Sequence, residues 1–351
     1  MSPTIGDIAE TAHQSASLEK YFLRTPPTDE MKLAREAGIL DVLNPDGTFR
    51  PTVSELYGTA EELGKGSLSL GLLFTMHISA LGLVDSDDVH EDTQHHLAAL
   101  GKTNVFGAFF SGLWTRSSDL MSNRTDVDGE PFDQNGKRAW RITGTKGAAT
   151  NVSGADYAAI TFREAGDDPE AAFLGFIKLR DEEGNYAPGI TVEPTGQTLG
   201  ARATQSDTVH LNNVPIPSEQ VLGRVPQLVQ YLLLERAEAL WGCYTAAYLG
   251  NCKQLLVFLM ETLKGRAVDV EGCQQKVREA DETLKRAASL ADGRQDPGAA
   301  ALTLLKAKEL IGEATAWVIY QICRNGSFHG LLWSNHAGMM TALLDGFMAN
   351  A

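Results

Sequence analysis

The sequence predicts an α+β protein in three parts: an N-terminal helical domain at 1–102, a central antiparallel β-domain at 103–224 and a C-terminal four-helix bundle at 225–351. Three observations carry this. Apolar residues recur at helix spacing through the first hundred or so positions. Short runs of β-branched and aromatic residues, broken by Gly, Asp, Asn and Pro, follow from about Thr103. Long helical patterns then return from Pro226 to the end.

Taken in order, Ile5, Ile8, Ala9 and Ala12 share one helix face, as do Val53, Leu56, Tyr57 and Ala60. Asp29 is placed to cap a short helix that runs to Glu36, with Gly38 as its stop. Leu68 to Leu83 is apolar almost all round, which predicts a buried helix. Strands are expected at Tyr157 to Phe162, Ala172 to Leu179, Gly189 to Val192 and Thr208 to Leu211. A long helix should begin at Pro226, a residue suited to a first turn, and reach about Leu263. Further helices are expected over Glu271 to Leu290, Gly298 to Arg324 and Ala337 to Met348.

A chain of 351 residues can bury a large core, and 43% hydrophobic with 21% charged residues is ordinary for a soluble globular protein. No apolar run approaches the roughly 20 residues of a membrane span. Met1 to Glu10 has no basic patch followed by an apolar stretch, so no export signal is read. Cys243, Cys252, Cys273 and Cys323 lack metal-type spacing and read as small buried hydrophobes in a reduced, cytoplasmic setting. A formal charge of -15 argues against nucleic-acid binding. His90, His95 and His96 sit in a polar segment without ligand spacing and are expected in solvent.

Certain motifs go further. Ile142-Thr143-Gly144-Thr145-Lys146, Thr150-Asn151 and Ala155-Asp156 are followed by Leu199-Gly200-Ala201-Arg202-Ala203 and by Val214-Pro215-Ile216-Pro217 with Val221-Leu222-Gly223. In this order and spacing they resemble the acyl-CoA dehydrogenase superfamily, where the first group turns onto the β-domain and the second leads out. The resemblance covers nearly the whole chain. It implies that superfamily's fold and redox chemistry on an acyl thioester carried by CoA or an acyl carrier protein. It implies FAD as cofactor, with FMN or no flavin as alternatives. It also implies a homodimer or homotetramer.

By the same resemblance, Phe109, Phe110, Ser111 and Gly112 would line the flavin ring, and Ser118-Asp119 and Thr125 match a flavin-binding turn. Thr150 and Asn151 keep a second flavin segment, in which Ala148 replaces a tryptophan and opens space. Gln321 and Gly326 are what remains of a motif that touches the neighbouring subunit's cofactor. Leu232-Leu233-Leu234-Glu235-Arg236 before Gly242 resembles the isovaleryl and long-chain placement of the catalytic base. Glu235 would then take the α-proton, with Arg236 orienting the substrate and Ser118 and His77 lining its cavity. Plainer readings stand beside these: Glu235 facing solvent, His77 a satisfied core histidine, and Gly144, Thr150 and Ser118 merely making turns.

The resemblance also has gaps. The C-terminal tyrosine-glutamate-glycine-threonine motif is absent, and Thr262-Leu263-Lys264-Gly265 replaces a phosphate-binding arginine, leaving Lys264 or Arg266 to substitute. Three functions are therefore expected in order. The first is an acyl thioester dehydrogenase of specialised biosynthesis, its electron acceptor unassigned. The second is a flavin monooxygenase of the same fold. The third is a flavin-free lyase, cyclase or non-catalytic partner.

Overall fold

In the structure, a computed structural model, the described residues are 3–15, 24–86, 89–109, 125–164, 172–194, 201–225, 241–263, 268–293 and 296–325. The first helices are α1 (Ile5–Ser15), α2 (Thr28–Glu36), α3 (Val53–Gly66), α4 (Leu68–Gly82) and α5 (Glu91–Gly101). Eight strands follow: β1 (Phe106–Phe109), β2 (Val127–Gln134), β3 (Lys137–Ala149), β4 (Tyr157–Glu164), β5 (Ala172–Lys178), β6 (Ile190–Glu193), β7 (Asp207–Ile216) and β8 (Val221–Val225). The chain closes, within the described residues, on α6 (Cys243–Thr262), α7 (Val270–Gly293) and α8 (Pro297–Asn325). The fourth bundle helix expected over Ala337 to Met348, and the start of α6 from Pro226, lie outside the described residues.

Local chemistry explains most boundaries. Thr52 and Glu55 form a reciprocal capping box that starts α3. Asp29 is not a cap: it lies in the first turn of α2 behind Pro27, where its charge meets the positive end of the helix dipole. Gly38 ends α2 with φ +75, as expected of a left-handed stop. Every residue of α4 is buried.

The β-domain departs from expectation in one respect. The sheet runs β6-β7-β3-β2-β4-β5-β8, with β1 attached to β4. It is mixed rather than antiparallel, because β1 and β2 both pair with β4 in parallel. The long connection between them allows this: parallel neighbours need a crossover, whereas a two-residue loop gives only antiparallel ones. Ile142 to Lys146 is also no turn but the middle of β3, paired with β2 on one side and β7 on the other. The turn comes later, at Thr150 to Gly154.

Two apolar cores result. One lies within the sheet, around Phe109, Trp140, Ile160, Phe162 and Ile177. The other is shared by helices from both ends of the chain, with Leu63, Phe74, Leu81, Leu249, Leu255, Leu284 and Ile311 in one cluster, and it reaches the sheet through Phe106 and Phe176. Cys243, Cys252 and Cys273 are buried in it, whereas Cys323 is exposed, contrary to the buried reading. No described helix is long and apolar enough to cross a membrane.

Candidate functional site

The site is built where β3 ends. Between Lys146 and Ala149, β3 carries one residue more than its partner β7, so the strand bulges and Ala148 adopts φ +48. The chain then turns through Asn151 at φ +68. Opposite, the loop into β7 holds Ala201 at φ +51 and Gln205 at φ +44, flanking a short 3-10 turn at Arg202–Thr204. Non-glycine residues avoid this left-handed region, and four of them meeting in one corner mark a backbone shaped for more than connection.

Hydrogen bonds lock the two segments. The Asn151 amide donates to the Thr204 carbonyl at 2.8 Å. Thr150 Oγ1 lies 2.8 Å from Ser206 Oγ, which lies 3.0 Å from Thr204 Oγ1. Thr204 Oγ1 in turn donates to the Ala201 carbonyl at 2.7 Å. Asp207, at the start of β7, is held by Arg24 at 2.6 Å, and Gln205 Nε2 donates to the Arg24 carbonyl at 2.7 Å. The Asn151 side chain is buried with its Nδ2 unpartnered. Ala148 is exposed, and Thr150 and Ser206 are half-buried, so the corner opens outward.

β1 packs directly behind it. A Cβ at Gly107 would sit 3.3 Å from the Thr150 carbonyl and 2.9 Å from the Phe109 ring, so only glycine allows this approach. The structure thus brings Phe109, Ala148 and Thr150 together. The Phe109 ring is buried in the sheet core, 1% exposed.

The other expected site residues divide. His77, on α4, is fully buried; its Nε2 donates to the Leu40 carbonyl at 2.9 Å and its Nδ1 accepts from the Phe106 amide at 3.1 Å. Burial pushes its pKa down to about 4, so the ring is neutral and both nitrogens serve the backbone. Gln321, on α8, is buried in the helical layer, where its Oε1 accepts from the Asp269 amide at 3.4 Å. Ser111, Gly112, Ser118, Glu235, Arg236 and Gly326 lie outside the described residues.

Two features were missed by sequence reasoning. Thr204 and Ser206 look like loop residues, and only the β3–β7 register brings them to Thr150. Lys146, quoted above only as part of a motif, is fully buried between strands, with Nζ donating to Thr125 Oγ1 at 2.9 Å and Thr161 Oγ1 at 2.8 Å. Burial lowers its pKa to about 7, and the nearby Asp126 charge opposes that shift. Among the described residues no group of His, Cys, Asp and Glu could hold a metal ion.

The fold so described, helices before and after a mixed sheet, is the acyl-CoA dehydrogenase-like fold, and solved structures match it across 99% of the chain. FMN-bound TdsC from Paenibacillus sp. A11-2 superposes with a TM-score of 0.82 at 16% identity, over 92% of its own length. The same protein is known with FMN and indole. The FAD complex of PigA superposes with a TM-score of 0.73 at 17% identity, over 93% of its length. In sequence, the chain is 24% identical over 270 residues to a dibenzothiophene monooxygenase from Mycolicibacterium goodii, covering 72% of this chain and 60% of that protein. The chain thus spans well under two thirds of the length of that curated relative. No family model matches the chain.

Proposed function

We propose that the protein is a flavin-dependent monooxygenase acting on a small, largely apolar heteroaromatic substrate. The observation that carries this reading is the fold-wide likeness to FMN-bound TdsC, together with the independent sequence similarity to a dibenzothiophene monooxygenase. The reading replaces the acyl thioester dehydrogenase as the leading one.

The described corner suits the edge of a flavin. Its unpartnered Asn151 Nδ2 is a buried donor, and such a group costs stability until a carbonyl or ring nitrogen meets it. Thr150 supplies a hydroxyl, and Ala148 leaves the space that a tryptophan would fill. When bound in its reduced form, a flavin supplies the two electrons with which one atom of dioxygen enters the substrate and the other leaves as water. This chain's part is to hold that ring at the end of β3, to orient its polar edge with Thr150 and Asn151, and to keep the apolar backing of β1 dry. In this reading FMN comes first and FAD next, because FMN-bound TdsC superposes better than the FAD complex of PigA.

The test is to supply reduced FMN, oxygen and indole or dibenzothiophene to the purified protein. Labelled oxygen should appear in the product; its absence from every heteroaromatic tried would remove the proposal. A second reading, the dehydrogenase, is favoured by the Leu232 to Arg236 motif. Under it, anaerobic acyl-CoA would bleach bound flavin, and Glu235→Gln would stop the bleaching without releasing the flavin.

A further inference from the structure

A second constellation lies on the open face of the sheet, outside the corner described above. Thr145 of β3 stands directly opposite His210 of β7, and its Oγ1 lies 3.2 Å from His210 Nδ1. At the other end of the ring, His210 Nε2 lies 3.2 Å from Glu193 Oε2 of β6. Val209 and Leu211 flank His210 and are buried, as is Lys146 beside Thr145, so strand alternation turns the three polar side chains to the outer face. His210 and Glu193 keep 43% and 72% of their side-chain surface, which leaves that face open to solvent. A carboxylate only accepts, so in the neutral ring the proton sits on Nε2, toward Glu193. Nδ1 then presents its lone pair to the Thr145 hydroxyl. Cross-strand packing would be served by either contact alone. Both together fix one tautomer and aim one lone pair at one hydroxyl, so nucleophile, base and orienting carboxylate follow in line.

We infer that Thr145, His210 and Glu193 form a second reactive site, which takes acyl groups from aryl esters onto the Thr145 hydroxyl and passes them to water. Thr145 Oγ1 attacks the ester carbonyl carbon, and the new bond forms as His210 Nδ1 takes the hydroxyl proton. The carbon–oxygen bond to the phenol then breaks, and His210 returns that proton to the departing phenolate. Water repeats the sequence on the acyl-threonine: its proton passes to His210, the carboxylic acid leaves, and Thr145 regains its hydroxyl proton. No oxidant or reductant takes part. Glu193 touches no reacting atom; it is a positioning residue that holds the ring in the required tautomer. The openness of the face sets the substrate class. Charge that develops on the carbonyl oxygen is stabilised far less in a water-exposed site than in an enclosed one. Esters whose leaving group is already a weak base, such as aryl esters, react without that help. The site needs no flavin, so it stands or falls apart from the monooxygenase reading.

Supplying p-nitrophenyl acetate to the purified full chain tests this. p-Nitrophenol should be released, and quenched samples should carry an acetyl group on Thr145, located by peptide mass spectrometry. His210→Gln should lower the release about 100-fold, the low end of what a positioned base supplies. Thr145→Val should remove the acetylated peptide and the release with it, whereas Thr145→Ser should keep both. Glu193→Gln should lower kcat and leave KM unchanged, because a glutamine amide donates to Nε2 and leaves the ring proton on Nδ1, facing the hydroxyl. All three side chains stand on the outer face, so the variants should unfold at the wild-type urea midpoint. Release that survives Thr145→Val or His210→Gln overturns the inference, as does acetylation found only on other residues. A Glu193→Gln rate equal to the wild type's, or no release from the wild type, overturns it as well.

Discussion

Lys146 is a fully buried lysine within the sheet. Its amine is fully buried, and desolvation outweighs the pull of the nearby Asp126 charge, so its pKa falls from 10.5 to about 7. The sign of the consequence follows. Between about pH 7 and 10.5 the unfolded chain holds a proton on this lysine that the folded chain has released. Stability should therefore rise with pH across that window, by at most about 1.4 kcal/mol per pH unit. Urea unfolding of Lys146→Met from pH 7 to 10 should lose this slope, whatever the variant's absolute stability. A slope equal to the wild type's would mean that other groups set it. The position also matters to the site, since Lys146 clamps the start of β2 to β4 two residues before the bulge that presents Ala148.

At the scale of elements, α3 and α6 approach so closely that glycine is required in the contact. A Cβ at Gly64 would enter the backbone of Ala247, and one at Gly250 would enter the Glu61 carbonyl. Lys253 closes the same seam, bridging Glu61 at 2.7 Å and Asp281 of α7 at 2.9 Å. Gly250→Ala should cost about 3 kcal/mol, since overpacking here displaces backbone rather than a flexible side chain. Gly58, on the exposed face of α3 with nothing within 4 Å of its would-be Cβ, should behave oppositely. Gly58→Ala should gain about 0.5–1 kcal/mol from lost chain entropy. Chemical denaturation of the two variants compares them directly, and equal effects would refute the seam argument. The hairpin between β2 and β3 rests on equally local chemistry. Asn135 and Gly136, at φ +59 and +81, form the two-residue turn that this dipeptide favours. That dipeptide was a legible signal for two strands that the alternation pattern did not reveal, because β2 carries Gly129 and Pro131 and is exposed along much of its length.

For the whole molecule, the helical core decides cooperativity. Helices from the first hundred residues and from the last hundred share one apolar cluster, and α4 is enclosed on all sides. A fragment of residues 1–102 would expose the faces of α3 and α4 that α6 covers. Expressed alone, it should show no cooperative thermal transition, and in the full chain the amides of α3, α4 and α6 should exchange at one common slow rate. A fragment that melts sharply would establish the N-terminal helices as an independent domain.

Hydrophobic period, capping residues and turn residues act over a few positions, so the sequence alone could determine the helix–strand–helix order, the enclosed α4, four strands and the resemblance that led to a flavin. Tertiary structure decided the rest: the parallel pairing of β1 and β2 with β4, the burial of the Phe109 ring, the commitment of both His77 nitrogens, and the meeting of Thr150 with Ser206 and Thr204. Each of these depends on which distant segments become neighbours and on a one-residue bulge in their register. Since a slip of one residue turns every following side chain to the other face, no local pattern could have revealed that meeting of hydroxyls.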